Sequence, residues 1–69
     1  MSWTLNDYPA SMKNLNHLTK MKAIDIANAM IEEGHEEKHV IPIAIEQAKK
    51  WRNNARQTEL EQYEKSKSD

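Results

Sequence analysis

The apolar residues of this chain concentrate between Leu18 and Trp51, in two runs that are separated at Gly34. In the first run they recur at spacings of three and four, which predicts an amphipathic helix with Leu18, Met21, Ala23, Ile24, Ala27, Met30 and Ile31 on its apolar side. Asn16 is a favourable cap for this helix, and Gly34 is expected to end it. The polar positions are predicted to face solvent; they are Lys20, Lys22, Asp25, Asn28, Glu32 and Glu33.

The second run predicts another helix, with Val40, Ile41, Ala44, Ile45, Ala48 and Trp51 on one broad face. Pro42 lacks an amide proton and its ring would clash with the carbonyl of Lys38, so we predict that this helix begins near Lys38 or His39. Small residues would let the two helices approach closely, at Ala23 and Ala27 on one and at Ala44 and Ala48 on the other. The pattern therefore predicts an antiparallel αα-hairpin.

The first nine residues have no helical period, yet they hold Trp3 and Tyr8, half of the aromatic residues of the chain. Because an aromatic side chain has a large apolar surface, we predict that this leader folds back on the hairpin, with Trp51 as its aromatic neighbour. Pro9 suits the first turn of a helix, and we predict a short helix over residues 9–15.

Aliphatic residues become rare after Trp51, although helix-favouring residues continue. We predict that the second long helix runs past Asn54 and frays, with residues 65–69 disordered. The predicted organisation is a single helical domain at residues 1–54, followed by a fraying helix and polar tail at 55–69. The predicted fold class is all-α: a short N-terminal helix, two longer antiparallel helices and a leader folded back on the core.

The composition favours a small intracellular protein. Sixty-nine residues allow one domain with a modest core, and the absence of cysteine excludes disulfides and thiolate metal sites. No stretch reads as a signal peptide or approaches the roughly 20 apolar residues of a membrane span. We therefore expect a cytoplasmic protein that does not enter a membrane.

Residues 35–39 read His-Glu-Glu-Lys-His and match H-E-x-x-H, in which two histidines one helical turn apart bind zinc and the glutamate polarises a water. That chemistry requires His35 and His39 on one helical face and a third ligand. Gly34 and Pro42 flank the motif at a helix start, and later acidic residues lie in the predicted tail. A metal-dependent hydrolase through His35-Glu36-x-x-His39 is thus the third interpretation, and we predict no catalytic, cofactor-binding or metal-binding residue.

Four basic residues are the candidate partner-binding residues: Lys49, Arg52 and Arg56 on one helical face, with Lys50 adjacent. Such a face could contact phosphates. The ten Lys and Arg are balanced by eleven Asp and Glu, so the chain lacks the positive charge typical of nucleic-acid binders. A nucleic-acid-associated helical module using the Lys49–Arg56 face is therefore the alternative function.

Three motifs stand out together: W-x4-YP-x-SMKNL at residues 3–15, KAI-x-IANA at 22–29 and IAI-x2-AK-x-W at 43–51. On these motifs the chain resembles a family of small bacterial proteins, and more distantly, through residues 9–15 and 43–49, the ChaB-like proteins described as cation transport regulators. The resemblance implies a compact helical fold in which the segment before residue 16 is structured. The family commonly carries an aromatic residue, Gly and Arg after Gly34, and Ala where Pro42 stands, so this chain departs from the pattern there.

These observations favour a small non-enzymatic interaction or accessory protein of the bacterial cytoplasm. We expect a protein partner, no cofactor, and a monomer or weak homodimer.

Overall fold

Three α-helices follow a short leader in the structure, a computed structural model that describes residues 3–68. A 3-10 helix at Ala10–Met12 precedes α1 (His17–Glu32), α2 (Glu37–Asn54) and α3 (Gln57–Ser68). The predicted all-α fold class is confirmed. Predictions that fall on Met1, Ser2 and Asp69 lie outside the described residues. In the part that the structure describes, no helix combines the length and hydropathy needed to cross a bilayer.

The limits of α1 follow the local chemistry of the sequence. At the start, the Asn16 side chain accepts a hydrogen bond from the Thr19 amide at 2.9 Å, which confirms the predicted cap. At the end, Gly34 adopts a φ of 96°, the left-handed conformation that glycine adopts most readily. Its amide donates to the Ile31 carbonyl, while the His35 amide donates to the Met30 carbonyl. These two bonds form a Schellman motif, which satisfies the last carbonyls of α1.

Residues 33–36 connect α1 to α2, and the two helices pack against each other as the predicted αα-hairpin. Four alanines of the predicted contact are fully buried: Ala23, Ala27, Ala44 and Ala48. Met12, Ile24 and Val40 complete this core cluster. Because alanine has a small side chain, the helix backbones can approach closely.

The start of α2 differs slightly from the prediction near Lys38 or His39. The helix begins at Glu37, with Glu36 in extended backbone as its cap residue, so Pro42 lies inside the helix. Since a proline has no amide proton, α2 lacks one helical hydrogen bond at this position.

The short N-terminal helix is present but shorter than the predicted range of residues 9–15, because only Ala10–Met12 is helical and it has 3-10 geometry. Asn16 has a ψ of 165° and caps α1, so a helix cannot continue through it into α1. Further upstream, Thr4 and Asp7 exchange two backbone hydrogen bonds, which close a turn. Met12 is nevertheless fully buried and anchors the segment in the core.

The prediction of one helix running past Asn54 is wrong. Ala55 takes an extended conformation with a ψ of 144°, which ends α2 before α3 begins at Gln57. Residues 65–68, which we predicted to be disordered, belong to α3. Leu60 is only 8% exposed, so α3 packs on the rest of the chain. The division between a domain at 1–54 and a tail at 55–69 stays a prediction.

Candidate functional site

The middle of α1 carries four polar residues that contact other parts of the chain, although the sequence pattern predicted that they face solvent. Lys20, Lys22, Asp25 and Asn28 are all half-buried, whereas Glu32 and Glu33 are exposed as predicted. The prediction fails because a polar side chain on a helix can face water or can equally contact backbone groups, aromatic rings or charges of another segment. This face of α1 holds both the leader and α3.

Asn28 binds the backbone of the leader. Its Oδ1 accepts a hydrogen bond from the Trp3 amide at 2.8 Å, and its Nδ2 donates to the Trp3 carbonyl at 3.0 Å. A nearby contact fixes the other end of the leader, since Lys20 Nζ lies 4.7 Å from the centre of the Tyr8 ring and 3.2 Å from its hydroxyl. The leader therefore folds back on α1, as the aromatic residues predicted.

Asp25 is the attachment point for α3. Its carboxylate accepts a hydrogen bond from the Tyr63 hydroxyl and forms an ion pair with Lys67 at 2.9 Å. Burial raises the pKa of the Tyr63 hydroxyl above its ordinary value, and the hydrogen bond to Asp25 and the negative charge of that residue act in the same direction. The structure thus favours a protonated Tyr63.

Trp51 has a different aromatic neighbour from the one that we predicted. It contacts the Tyr63 ring, with the ring centres 4.9 Å apart and the planes at 65°. Lys22 Nζ lies 5.0 Å from the Trp51 ring centre and 5.2 Å from that of Tyr63. Trp51 therefore packs with α3, while Trp3 packs with α1; both tryptophans are half-buried.

Two of the four candidate partner-binding residues lie together in a groove between the start of α1 and the end of α2. We call it the basic groove; it measures about 260 Å³ and is lined by Leu15, Asn16, Thr19, Lys49, Arg52 and Asn53. Lys50 instead forms an exposed ion pair with Glu46 at 3.7 Å. Arg56 is exposed in the link between α2 and α3. The residues that sequence reasoning missed are Asn16 and Thr19, because only the fold brings α1 beside Lys49 and Arg52.

The H-E-x-x-H motif does not adopt the geometry that zinc proteases need. His35 precedes α2 and lies 3.7 Å from Glu33, whereas His39 is in the first turn of the helix. Both side chains are exposed. Within residues 3–68, no three His, Cys, Asp or Glu side chains lie close enough together to hold a metal ion.

The chain is a homologue of the Bacillus subtilis (strain 168) protein named Uncharacterized protein YdaT, with 54% identity over 63 residues. The match covers 91% of this chain but 42% of YdaT, so the chain spans less than half the length of that relative. No family model matches the chain, and no solved structure matches it. Similarity to a bacterial protein is therefore shown, whereas the more distant link to the ChaB-like proteins is not.

Proposed function

We propose that this chain is a non-enzymatic interaction or accessory module of the bacterial cytoplasm that binds a protein partner. The similarity to YdaT carries the proposal, because nearly the whole chain recurs within a protein more than twice the matched length. A sequence that recurs inside a longer chain is typical of a module that acts by binding another protein or another part of the same protein. The open basic groove offers a surface for such contacts.

A capture experiment tests this proposal. The full chain is immobilised through a linker after Asp69 and exposed to a lysate of Bacillus subtilis, the source of YdaT. Each captured protein is then purified and titrated against the free chain by calorimetry. We expect at least one protein that binds with 1:1 stoichiometry. If no captured protein binds the chain once purified, the proposal is wrong.

Nucleic-acid association is the second candidate, and one observation favours it. Lys49 and Arg52 lie in one groove, and no acidic residue of the described chain lines it. Counterion release makes the affinity of a true nucleic-acid binder fall steeply with salt concentration. Because the net charge is −1, we expect no mobility shift with duplex or single-stranded DNA or RNA at physiological ionic strength. A salt-sensitive shift that Lys49→Glu/Arg52→Glu abolishes would place this function first.

A cytoplasmic location fits a fold that contains no cysteine and is stabilised by core packing and hydrogen bonds. The proposed kinship with the ChaB-like proteins rests only on the motifs at residues 9–15 and 43–49. Hydrolase chemistry has less support than either binding function, because His35 stands outside α2.

A further inference from the structure

We propose that the basic groove binds one phosphomonoester group on the protein partner, an inference that rests on the proposed interaction function. The groove opens between the first turn of α1 and the last turns of α2. Its volume of about 260 Å³ is small for an organic ligand, whose pockets usually begin near 300 Å³. A single phosphate with the first atoms of its carrier suits this size.

The lining of the groove is rich in groups that bind anions. Lys49 and Arg52 are cations, Asn53 adds a carboxamide, and Thr19 adds a hydroxyl. Thr19 is only 4% exposed and is the most buried residue of the lining. The Asn16 side chain already caps α1, so the inference depends on the side chains of α2 and Thr19 rather than on the helix end.

The side chains of the two groove cations, Lys49 and Arg52, form no ion pair or hydrogen bond with the described residues 3–68. Two other cations already have an acidic partner, since Lys50 pairs with Glu46 and Lys67 pairs with Asp25. Arg52 is half-buried, and its guanidinium has no acceptor among the described residues. A phosphate oxygen would supply that acceptor in a charge-assisted hydrogen bond.

Charge and geometry favour a phosphomonoester over a nucleic-acid backbone. A phosphomonoester carries about −1.5 to −2 charges at neutral pH, which matches the two unpaired cations of the groove. A duplex, in contrast, needs a row of free cations along the surface. Lys50 is paired and Arg56 does not line the groove, so the basic face of α2 does not form such a row.

The direct test is a titration of the isotope-labelled full chain with inorganic phosphate, followed by amide NMR at constant ionic strength. We expect saturable shifts at Thr19 and Asn53. The Lys49→Gln/Arg52→Gln variant should bind about tenfold more weakly or worse, as expected when hydrogen bonds to a charged group are lost. Lys50→Gln/Arg56→Gln removes the same charge outside the groove and should retain wild-type affinity, and thermal unfolding verifies that both variants fold.

Other ligands identify the source of the phosphate. A phosphoserine peptide should bind at least as tightly as inorganic phosphate, and its unphosphorylated form should not bind. Shifts that do not saturate, or that weaken equally in both variants, would overturn the inference. It is also overturned if glycerol 3-phosphate binds and the peptide does not, or if duplex DNA binds the same residues more tightly.

The groove and the interaction function can fail separately. The phosphate titration uses the isolated chain, so its result does not depend on finding a partner. Suppose that a captured partner, once dephosphorylated by phosphatase, binds the Lys49→Gln/Arg52→Gln variant as tightly as it binds the wild-type chain. That result would support the interaction function and overturn the phosphate inference.

Discussion

Asn28 attaches the leader to α1 through both ends of its carboxamide, which donates to the Trp3 carbonyl and accepts from the Trp3 amide. This arrangement resembles the pairing of two backbone segments, although one partner is a side chain. Asparagine is an unfavourable residue in a helix interior, where its side chain competes for backbone groups. Its position in α1 is therefore explained by the leader rather than by the helix.

Replacement of Asn28 by Ala should lower the free energy of unfolding by about 1–3 kcal/mol, because two part-buried backbone groups of Trp3 lose their partners. Urea denaturation monitored by circular dichroism measures the change. Asn14→Ala is a matched control at an exposed site outside the helices and should have little effect. If the Asn28 variant were as stable as the wild type, the attachment of the leader would contribute nothing to the free energy of unfolding.

Tyr63 should make stability sensitive to alkaline pH. Its pKa is raised in the folded chain relative to the unfolded chain, where it is about 10. The stability that the protonated hydroxyl contributes is therefore complete below the unfolded pKa and is lost as the pH rises through the folded pKa. We expect the free energy of unfolding to fall above about pH 10, and the fall to be smaller in Tyr63→Phe. Urea titrations at pH 8 and pH 11 compare the two chains. The control Tyr8→Phe retains Tyr63, so its free energy of unfolding should fall as steeply between pH 8 and pH 11 as that of the wild type. An equal fall in wild type and Tyr63→Phe would show that Tyr63 is not the group responsible.

At the scale of elements, the two connections between helices work differently. Gly34 reverses the chain through a left-handed residue with two defined hydrogen bonds, whereas Ala55 ends α2 by adopting extended backbone. The first connection produces the extensive contact of α1 with α2, and the second allows α3 to return to Asp25 and Trp51. The backbone conformations of Gly34 and Ala55 thus mark the two points at which the chain leaves one helix and turns toward the next.

Gly34→Ala should destabilise the chain by about 1–2 kcal/mol, the cost of left-handed backbone for a residue with a Cβ. An added Cβ would meet no atom within 4 Å, so the cost is conformational rather than steric. Thermal unfolding measures it, and Gly34→Asn is the control because asparagine tolerates this conformation better. A Gly34→Ala variant as stable as wild type would show that the turn has an alternative geometry.

At the scale of the whole molecule, the core and the attached segments are separable. All seven residues of the core cluster precede residue 54, while α3 is attached mainly through Leu60, Tyr63 and Lys67. The predicted domain boundary at residue 54 can therefore be tested by measuring how stable residues 1–54 are without α3. The hairpin has its own core, and α3 adds to it from outside.

A chain that ends at Asn54 should keep a helical circular dichroism spectrum but lose about 2–4 kcal/mol of stability. The loss combines the burial of Leu60, about 1.5–3 kcal/mol, with the Trp51–Tyr63 ring contact, about 0.5–1.5 kcal/mol. Leu60→Ala in the full chain should fall between the two. Unchanged stability after truncation would show that α3 is a tail, and a coil spectrum would show that residues 1–54 are no domain.

Sequence reasoning predicted the hairpin well because the spacing of Ala23, Ala27, Ala44 and Ala48 encodes one apolar contact surface. It missed α3 because one leucine and one tyrosine carry that attachment, and so few apolar residues produce no period. It treated Asp25 as a solvent residue because its partners lie 38 and 42 positions away along the chain. The four basic residues were grouped by helical spacing, but ion pairing and the position of α1 separate Lys49 and Arg52 from the others.

The placement of the two tryptophans has an optical consequence. Trp3 lies at the attachment of the leader, and Trp51 lies at the attachment of α3. A chain with Trp51→Phe would emit from the first site alone, and a chain with Trp3→Phe would emit from the second. Stopped-flow fluorescence of the two variants can therefore time the release of each segment separately, without any added dye. The order of those two events would reveal whether the chain opens from its beginning or from its end.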